Sequence, residues 1–500
     1  MRRFFGLSTI FVSALMLASS CTKEPAAEPQ SAHQQRSLDA WIATHRPDLI
    51  DNRQEEGYYV ELFEEGTPIE GEVKPLGESE TTWITFDLDV RTLSGKLCLT
   101  RSAARAKQEN TFTKYTHYVP VYRYCGSTNY SLLEGTYYAL RNELSLGGES
   151  YRARIGTKMR LYLPASIAYK NTGASDDGGY GGQYSLDGNK PVMVDIFIRD
   201  TVNNPLQREG VDVDFFAENN GGLRPLPETD EEDDNAATQA DEEQNDDDLY
   251  AWRNAVDTIP QLYINRRYVP NADTPSFNYR TEFVKPYQGY EPYDNLTELD
   301  KKINAALIKR FGNPAELVKG DTIGETNRAT VWYIGRFLDG FIFDTNIDEV
   351  KELIYGEVAS SGKSINYTPE DDKSSYIISW YHLIRQMRYG EWSALLTTST
   401  FAYGATGMTG GSSTTSSSAS SYYDYLNYYN YMNYYNNYYG GYYGGYYGNY
   451  YNNYYGGYYN PYYYGDMSTD TSTTTTTTTY STEILPYTPL LFQIFVEEKK

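Results

Sequence analysis

From Ala329 to Phe343 the side chains change sides along the chain. Val331 and Tyr333 alternate with Trp332 and Ile334, Leu338-Asp339-Gly340 follows, and Phe341-Ile342-Phe343 leads back. Alternation closed by an Asp-Gly pair predicts a β-hairpin. The period then lengthens. Between Tyr376 and Met387 the apolar positions are Ile377, Trp380, Leu383, Ile384 and Met387, the spacing of a short amphipathic helix that packs one face. Trp392–Leu396 and Leu490–Val496 read as strands, and Phe401–Gly407 as a Gly-punctuated loop. Strands, one short helix and strands again predict an α+β sheet with a helix against one face.

The same patterning divides the chain of 500 residues, a length that predicts two or more domains. Arg2 and Arg3 precede an apolar stretch, Phe4–Leu17, too short to span a bilayer as a mature helix. Small residues then lead to Cys21, so residues 1–21 read as a signal peptide that resembles a bacterial lipobox, with Ala18 where leucine is usual. The resemblance implies that Cys21 is lipidated and that the chain is anchored to a membrane in the cell envelope, facing the periplasm or the cell surface. Residues 22–37 are polar and read as a tether, 38–205 as a first folded region, 206–248 as an acidic disordered linker, and 249–500 as a second folded region. Inside the second, from about 409 to 481, lies a Ser/Thr-rich, then Tyr/Gly/Asn-rich, then Thr-rich insert of low complexity, after which the apolar pattern resumes at Ile484.

Charge sharpens this division. The net charge is −24, and Glu228–Asp248 holds twelve acids and no Lys or Arg, so half the imbalance sits in the linker. An acidic chain argues against a nucleic-acid partner, which needs basic faces against phosphate. The histidines His33, His45, His117 and His382 show no metal-ligand spacing, and no phosphate-loop or dinucleotide fingerprint is present, so no metal or cofactor is expected. Cys98 and Cys125 either pair in an oxidising compartment or remain free buried thiols.

Five blocks of the second region, taken together and in order, resemble the FKBP-type peptidyl-prolyl cis-trans isomerases. They are Val331–Gly335 with Leu338–Gly340 and Phe343–Thr345; Ile377–Trp380; Met387–Glu391; Ala402–Gly407; and Ile484–Pro486 with Leu490–Phe492. The resemblance implies an antiparallel sheet curved around a short helix, and a proline pocket. Tyr333, Phe343, Tyr367 and Phe492 match its aromatic walls, Trp380 its floor, and Ile484 and Leu485 its apolar rim. Asp344 and Tyr403 match the polar side chains that hold the substrate, and Ile377 the residue whose N–H meets the bound carbonyl. The loop between Gly407 and Ile484, short in the family, carries the insert here.

The first region resembles the same family at Arg91–Gly95, Ile155–Pro164 with Ile167–Tyr169, and Pro191–Ile196. Its pocket does not carry over. Leu88, Cys98, Leu99 and Thr136 stand at the positions of Tyr333, Phe343, Asp344 and Trp380, and only Tyr169 persists. The expectation is therefore two FKBP-like domains, the first inactive. The second is a peptidyl-prolyl isomerase that assists folding of exported, proline-containing polypeptides. The alternative is a non-catalytic binding or structural surface lipoprotein that uses the fold as scaffold. The sequence gives no oligomeric state.

Overall fold

The computed structural model describes residues 30–66, 83–125, 133–173, 186–227, 258–279, 293–317, 319–324, 326–356, 364–368, 376–408, 410–416 and 476–498. The leader with Cys21, residues 22–29 of the tether, the acidic tract and the Tyr/Gly repeats lie outside these residues.

Helix α1 (Gln30–His45) precedes β1 (Tyr59–Glu65), β2 (Trp83–Thr92), β3 (Leu97–Thr100), α2 (Ala103–Gln108), β4 (Val121–Tyr124), α3 (Glu134–Arg141), the small hairpin β5 (Leu144–Leu146) and β6 (Glu149–Tyr151), β7 (Thr157–Leu163) and β8 (Val192–Val202). Next come α4 (Pro205–Asn219), β9 (Arg224–Pro227), β10 (Thr258–Asn265), α5 (Leu296–Phe311), β11 (Ala329–Arg336), β12 (Ile342–Thr345), α6 (Asp348–Tyr355), β13 (Ile365–Tyr367), α7 (Ile378–Ile384), β14 (Trp392–Thr397), β15 (Gly411–Ser416), β16 (Thr476–Ser481) and β17 (Leu490–Glu498).

The α+β expectation holds, and the two large sheets share one plan. The first runs β1-β7-β8-β2-β3, with β4 also on β2. The second runs β10-β14-β17-β11-β12, with β13 also on β11 and β9 added outside β10. Their pairings are antiparallel throughout. Register matches residue by residue. Val90 faces Leu99 and, past a bulge, Arg91 faces Leu97; Gly335 faces Asp344 and, past a bulge, Arg336 faces Ile342. Both hairpins turn through a glycine at positive φ, Gly95 at 93° and Gly340 at 90°, a conformation other residues adopt only at a steric cost. Each sheet packs a short helix at the same place in its plan: Ala139 and Leu140 of α3 lie in the first core, Trp380, Leu383 and Ile384 of α7 in the second.

Two expected boundaries are corrected. The tether ends earlier, because α1 starts at Gln30 and buries Leu38 and Ile42. The linker does not begin at 206. Asn204 caps α4 by accepting a hydrogen bond from the Gln207 N–H, and Pro205 opens its first turn. Val213 and Phe216 of α4 and Leu223 after it are buried in the same core as β17. Burial of such side chains stabilises each by about 1.5–3 kcal/mol, enough to order this segment onto the second sheet.

Helix α5 packs behind that sheet through Leu299, Ile303 and Leu307, four residues apart and all buried. Between them and the sheet, Arg336 Nη2 meets Asp300 Oδ1 at 2.8 Å with both side chains fully buried. Arg336 Nε donates to Gln493 Oε1 at 2.8 Å, and Asp300 Oδ2 accepts from Ser276 N and the Tyr279 hydroxyl, each at 2.9 Å. A buried charge pair survives only with such satisfaction. It ties α5 and the 266–279 loop to the centre of the second sheet.

The ends of the insert are ordered too. β15 pairs with β16 from Gly411↔Ser481 to Ser416↔Thr476, and Met408 and Ile484 exchange both backbone hydrogen bonds in that same register. The insert therefore leaves the second sheet on a two-stranded arm rooted at Ile484.

Candidate functional site

A cluster of rings forms where β11, β12, β17 and α7 meet. Trp380, the third residue of α7, is 4 % exposed. The Tyr333 ring lies 4.9 Å from it at 69°, and Phe492 lies 5.5 Å away at 87°. Phe343 meets Phe492 at 5.7 Å and 85°. These edge-to-face contacts are the arrangement that ring quadrupoles favour, and they fix the walls. Gly335 makes room for Phe343: a Cβ there would lie 2.6 Å from its Cζ.

Sequence reasoning missed that glycine and two further rings. Tyr376 stacks on Trp380 at 5.8 Å and 19°, and Phe337 stands 5.1 Å from Phe343. Tyr367 is fully buried on β13 and reaches the box through Tyr376, 6.3 Å away. Tyr376 precedes the helix by two residues and Phe337 follows β11 by one, so adjacency to a matched block was the available signal.

The polar groups gather at one side. The Tyr333 hydroxyl donates to Asp344 Oδ2. Asp344 is open to solvent on its outer side. Crowding by the protein on the other side raises its carboxyl above the ordinary range, with the Tyr333 bond and then Lys351 working against the rise. Burial, then the Asp344 charge, pushes the Tyr333 hydroxyl well up, and the same two causes in the same order raise Tyr403. The Tyr403 hydroxyl takes no hydrogen-bond partner among the described residues. Neither does the buried Trp380 Nε1, nor the Ile377 N–H at the foot of α7. Ile484, 1 % exposed, joins the same core, with Leu485 half-buried beside it.

Register identifies the corresponding positions of the first region. Leu88, Val90, Cys98 and Leu99 stand for Tyr333, Gly335, Phe343 and Asp344, and Val194 for Phe492. Leu133 and Ile377, which start α3 and α7, share a backbone of φ −56°, ψ 134° and φ −59°, ψ 137°. Thr136 therefore stands for Trp380. Arg123 of β4 stands for Tyr367 of β13. Leu88, Cys98 and Leu99 fill their own core, so no ring box forms. Cys98 and Cys125 are free and buried, and burial pushes both thiols up, Cys125 to about 12. They are inert at neutral pH. Among the described residues no group of His, Cys, Asp and Glu is placed to hold a metal, and no helix is long and apolar enough to cross a membrane.

No family profile and no curated protein matches the chain. Solved structures do. A peptidyl-prolyl cis-trans isomerase from Pseudomonas syringae is 18% identical over 35% of this chain and 98% of its own, with a TM-score of 0.22. FkpA from Escherichia coli is 12% identical over 39% and 70%, with a TM-score of 0.22. The three FKBP domains of wheat FKBP73 are 8% identical over 89% and 95%, with a TM-score of 0.21. Similarity this low says nothing about chemistry, and the account of the fold stands on the strand order and registers above.

Proposed function

We propose that the ring box of the second region catalyses cis/trans isomerisation of X-Pro peptide bonds in exported polypeptides, on a chain held at the cell envelope through lipidated Cys21. The observation that carries this reading is the set of unsatisfied donors in an aromatic box. Trp380 Nε1 is buried without a partner, and the Tyr403 hydroxyl and the Ile377 N–H have none among the described residues. A buried donor such as Trp380 Nε1 rarely lacks a partner, and a bound peptide backbone would supply a carbonyl to it and to the half-buried Tyr403 and Ile377.

The chemistry requires no nucleophile. Rotation about the amide breaks its resonance against a barrier of about 18–20 kcal/mol. The planar amide is the more polar form and water favours it; the twisted form is less polar and suits the walls of Trp380, Tyr333, Phe343 and Phe492. Ile377 N–H meets a carbonyl of the bound peptide, and Asp344 and Tyr403 orient the backbone, so that binding energy goes into the twisted geometry. Tyr367 supports this box from behind, and Ile484 and Leu485 cover its mouth.

The test is a protease-coupled assay on an X-Pro-Phe peptide with the mature protein and the Asp344→Ala/Trp380→Ala double variant. Turnover that the double variant loses supports the reading. Absence of turnover in a folded wild-type chain sinks it and leaves the non-catalytic binding scaffold.

A further inference from the structure

The first region lacks the ring box, yet it holds the segment of the second that leads into Ile484. Glu483 sits between Thr482 and the rim residue Ile484 in an extended segment, where successive side chains point to opposite sides. Ile484 enters the second core. Glu483 goes the other way: its Oε2 accepts from Arg101 Nη2 at 2.8 Å and its Oε1 from Arg123 Nη2 at 2.7 Å. All three side chains are nearly buried, at 10 %, 2 % and 11 % exposure respectively. The Thr482 hydroxyl donates to the Tyr115 carbonyl at 2.7 Å. Trp83 packs edge-on against Tyr487 at 4.9 Å, and the Tyr487 N–H in turn bonds Gly404 O at 3.1 Å, next to Tyr403.

A second grip falls on the wall. His117 stacks on Phe337 at 4.3 Å and its Nε2 lies 2.8 Å from Asp339 Oδ2. Phe337 is the ring behind Phe343. Arg123 occupies the position that holds the wall residue Tyr367 in the other sheet. The place where the first region would have built a pocket thus serves to hold the rim of its neighbour.

We infer that the first region is a brace for the isomerase pocket, and that Arg101 and Arg123 are positioning residues that set the rim at Ile484 and Leu485 through Glu483. The inference rests on the proposed function for its kinetic consequence, but not for its structural one. Without the brace, the rim would be held only from the second region's side, by the Met408–Ile484 bridge, the burial of Ile484 and the Tyr487–Gly404 hydrogen bond.

The test variant is Arg101→Met/Arg123→Met/Glu483→Gln, which removes the charges together and so leaves no unpaired buried ion. Thr482→Val, which deletes one hydrogen bond, is the milder companion. Hydrogen exchange reads the rim without any turnover. In the triple variant the amides of Met408 and Ile484 should exchange about tenfold faster or more, while amides of β11 and β17 keep their protection. Thr482→Val should move the same two amides by less. In the peptide assay the triple variant should raise KM about tenfold with kcat within about twofold, the mark of a binding surface that is displaced while the box stays whole. Unchanged exchange at Met408 and Ile484 in both variants overturns the brace. So does acceleration spread evenly over the second sheet, which would make the triad a general stabiliser. A wild-type chain with no turnover would refute the isomerase while the exchange result still decided the brace.

Discussion

The two regions share strand order, hairpin register, the backbone at the start of the central helix and the glycine of the turn, yet one carries a ring box and the other a sealed core. The difference comes down to side-chain volume at a few shared positions. Where the second region has Gly335, the first has Val90. A Cβ at 335 collides with Phe343, so a valine there goes with the slim Cys98 opposite. Where the second has Trp380 among Tyr333, Tyr376 and Phe492, the first has Thr136, with Leu88 and Leu99 in its core. A sheet of one plan is lined with rings or with aliphatic side chains by what stands on its inner face, and the backbone does not reveal which.

Exchanging residues between the regions tests this, beginning with the floor. Trp380→Thr should abolish measurable turnover, about a hundredfold or more, and cost about 3–5 kcal/mol of stability as the ring's volume is lost; the coupled assay and urea melts read both, and retained activity would break the assignment of the floor. The reciprocal Thr136→Trp should give the first region no activity.

Next comes Glu209. Its carboxylate takes the Ser399 N–H and hydroxyl, at the start of the turn that leads to Tyr403; the equivalent turn in the first region begins at Ala165. Burial lifts the Glu209 carboxyl from 4.5 to about 7, with the Ser399 bonds opposing. The folded chain therefore holds this proton more tightly than the unfolded one. Its contribution is complete below pH 4.5 and disappears as pH rises through about 7, a change of about 3 kcal/mol. In Glu209→Gln that decline should vanish from urea melts taken between about pH 5 and about pH 8. An unchanged slope would place the proton elsewhere.

Gly335→Val imports the first region's residue and should cost about 1–3 kcal/mol by overpacking while raising KM as Phe343 shifts; a neutral outcome would show that the ring yields freely. The smallest effect separates the tyrosines. Tyr403→Phe should lower kcat/KM about fivefold to tenfold, the worth of one hydrogen bond, and Tyr169→Phe should leave it within about twofold.

The residues proposed for the second region's site, Tyr367 apart, fall in five blocks short enough to read locally, and the structure brings Tyr333, Phe343, Trp380 and Phe492 of these blocks together. The strand registers place Leu88, Cys98 and Leu99 at the positions of Tyr333, Phe343 and Asp344, and the shared backbone at Leu133 and Ile377 sets Thr136 opposite Trp380. Helix α4 was not legible in the sequence, although Asn204 and Pro205 announce its start. Its stripe of Val213 and Phe216 lies between a glutamate-bearing face and the acidic tract, and the neighbouring charge made the whole segment read as linker. The contacts between regions left no sequence signal at all. Arg101 and Glu483 are 382 residues apart, and nothing local to either marks it as a partner.

The arm at the rim bears on how this chain can vary. Among the described residues, β15 and β16 continue the register of Met408 and Ile484 without a slip, so the arm reaches the rim as two hydrogen-bonded strands. For a flexible closing chain, each doubling of length adds only about 0.6 kcal/mol of closure entropy. The length of chain between the two strands is thus a small term beside the strand register, which is what fixes the arm at the rim.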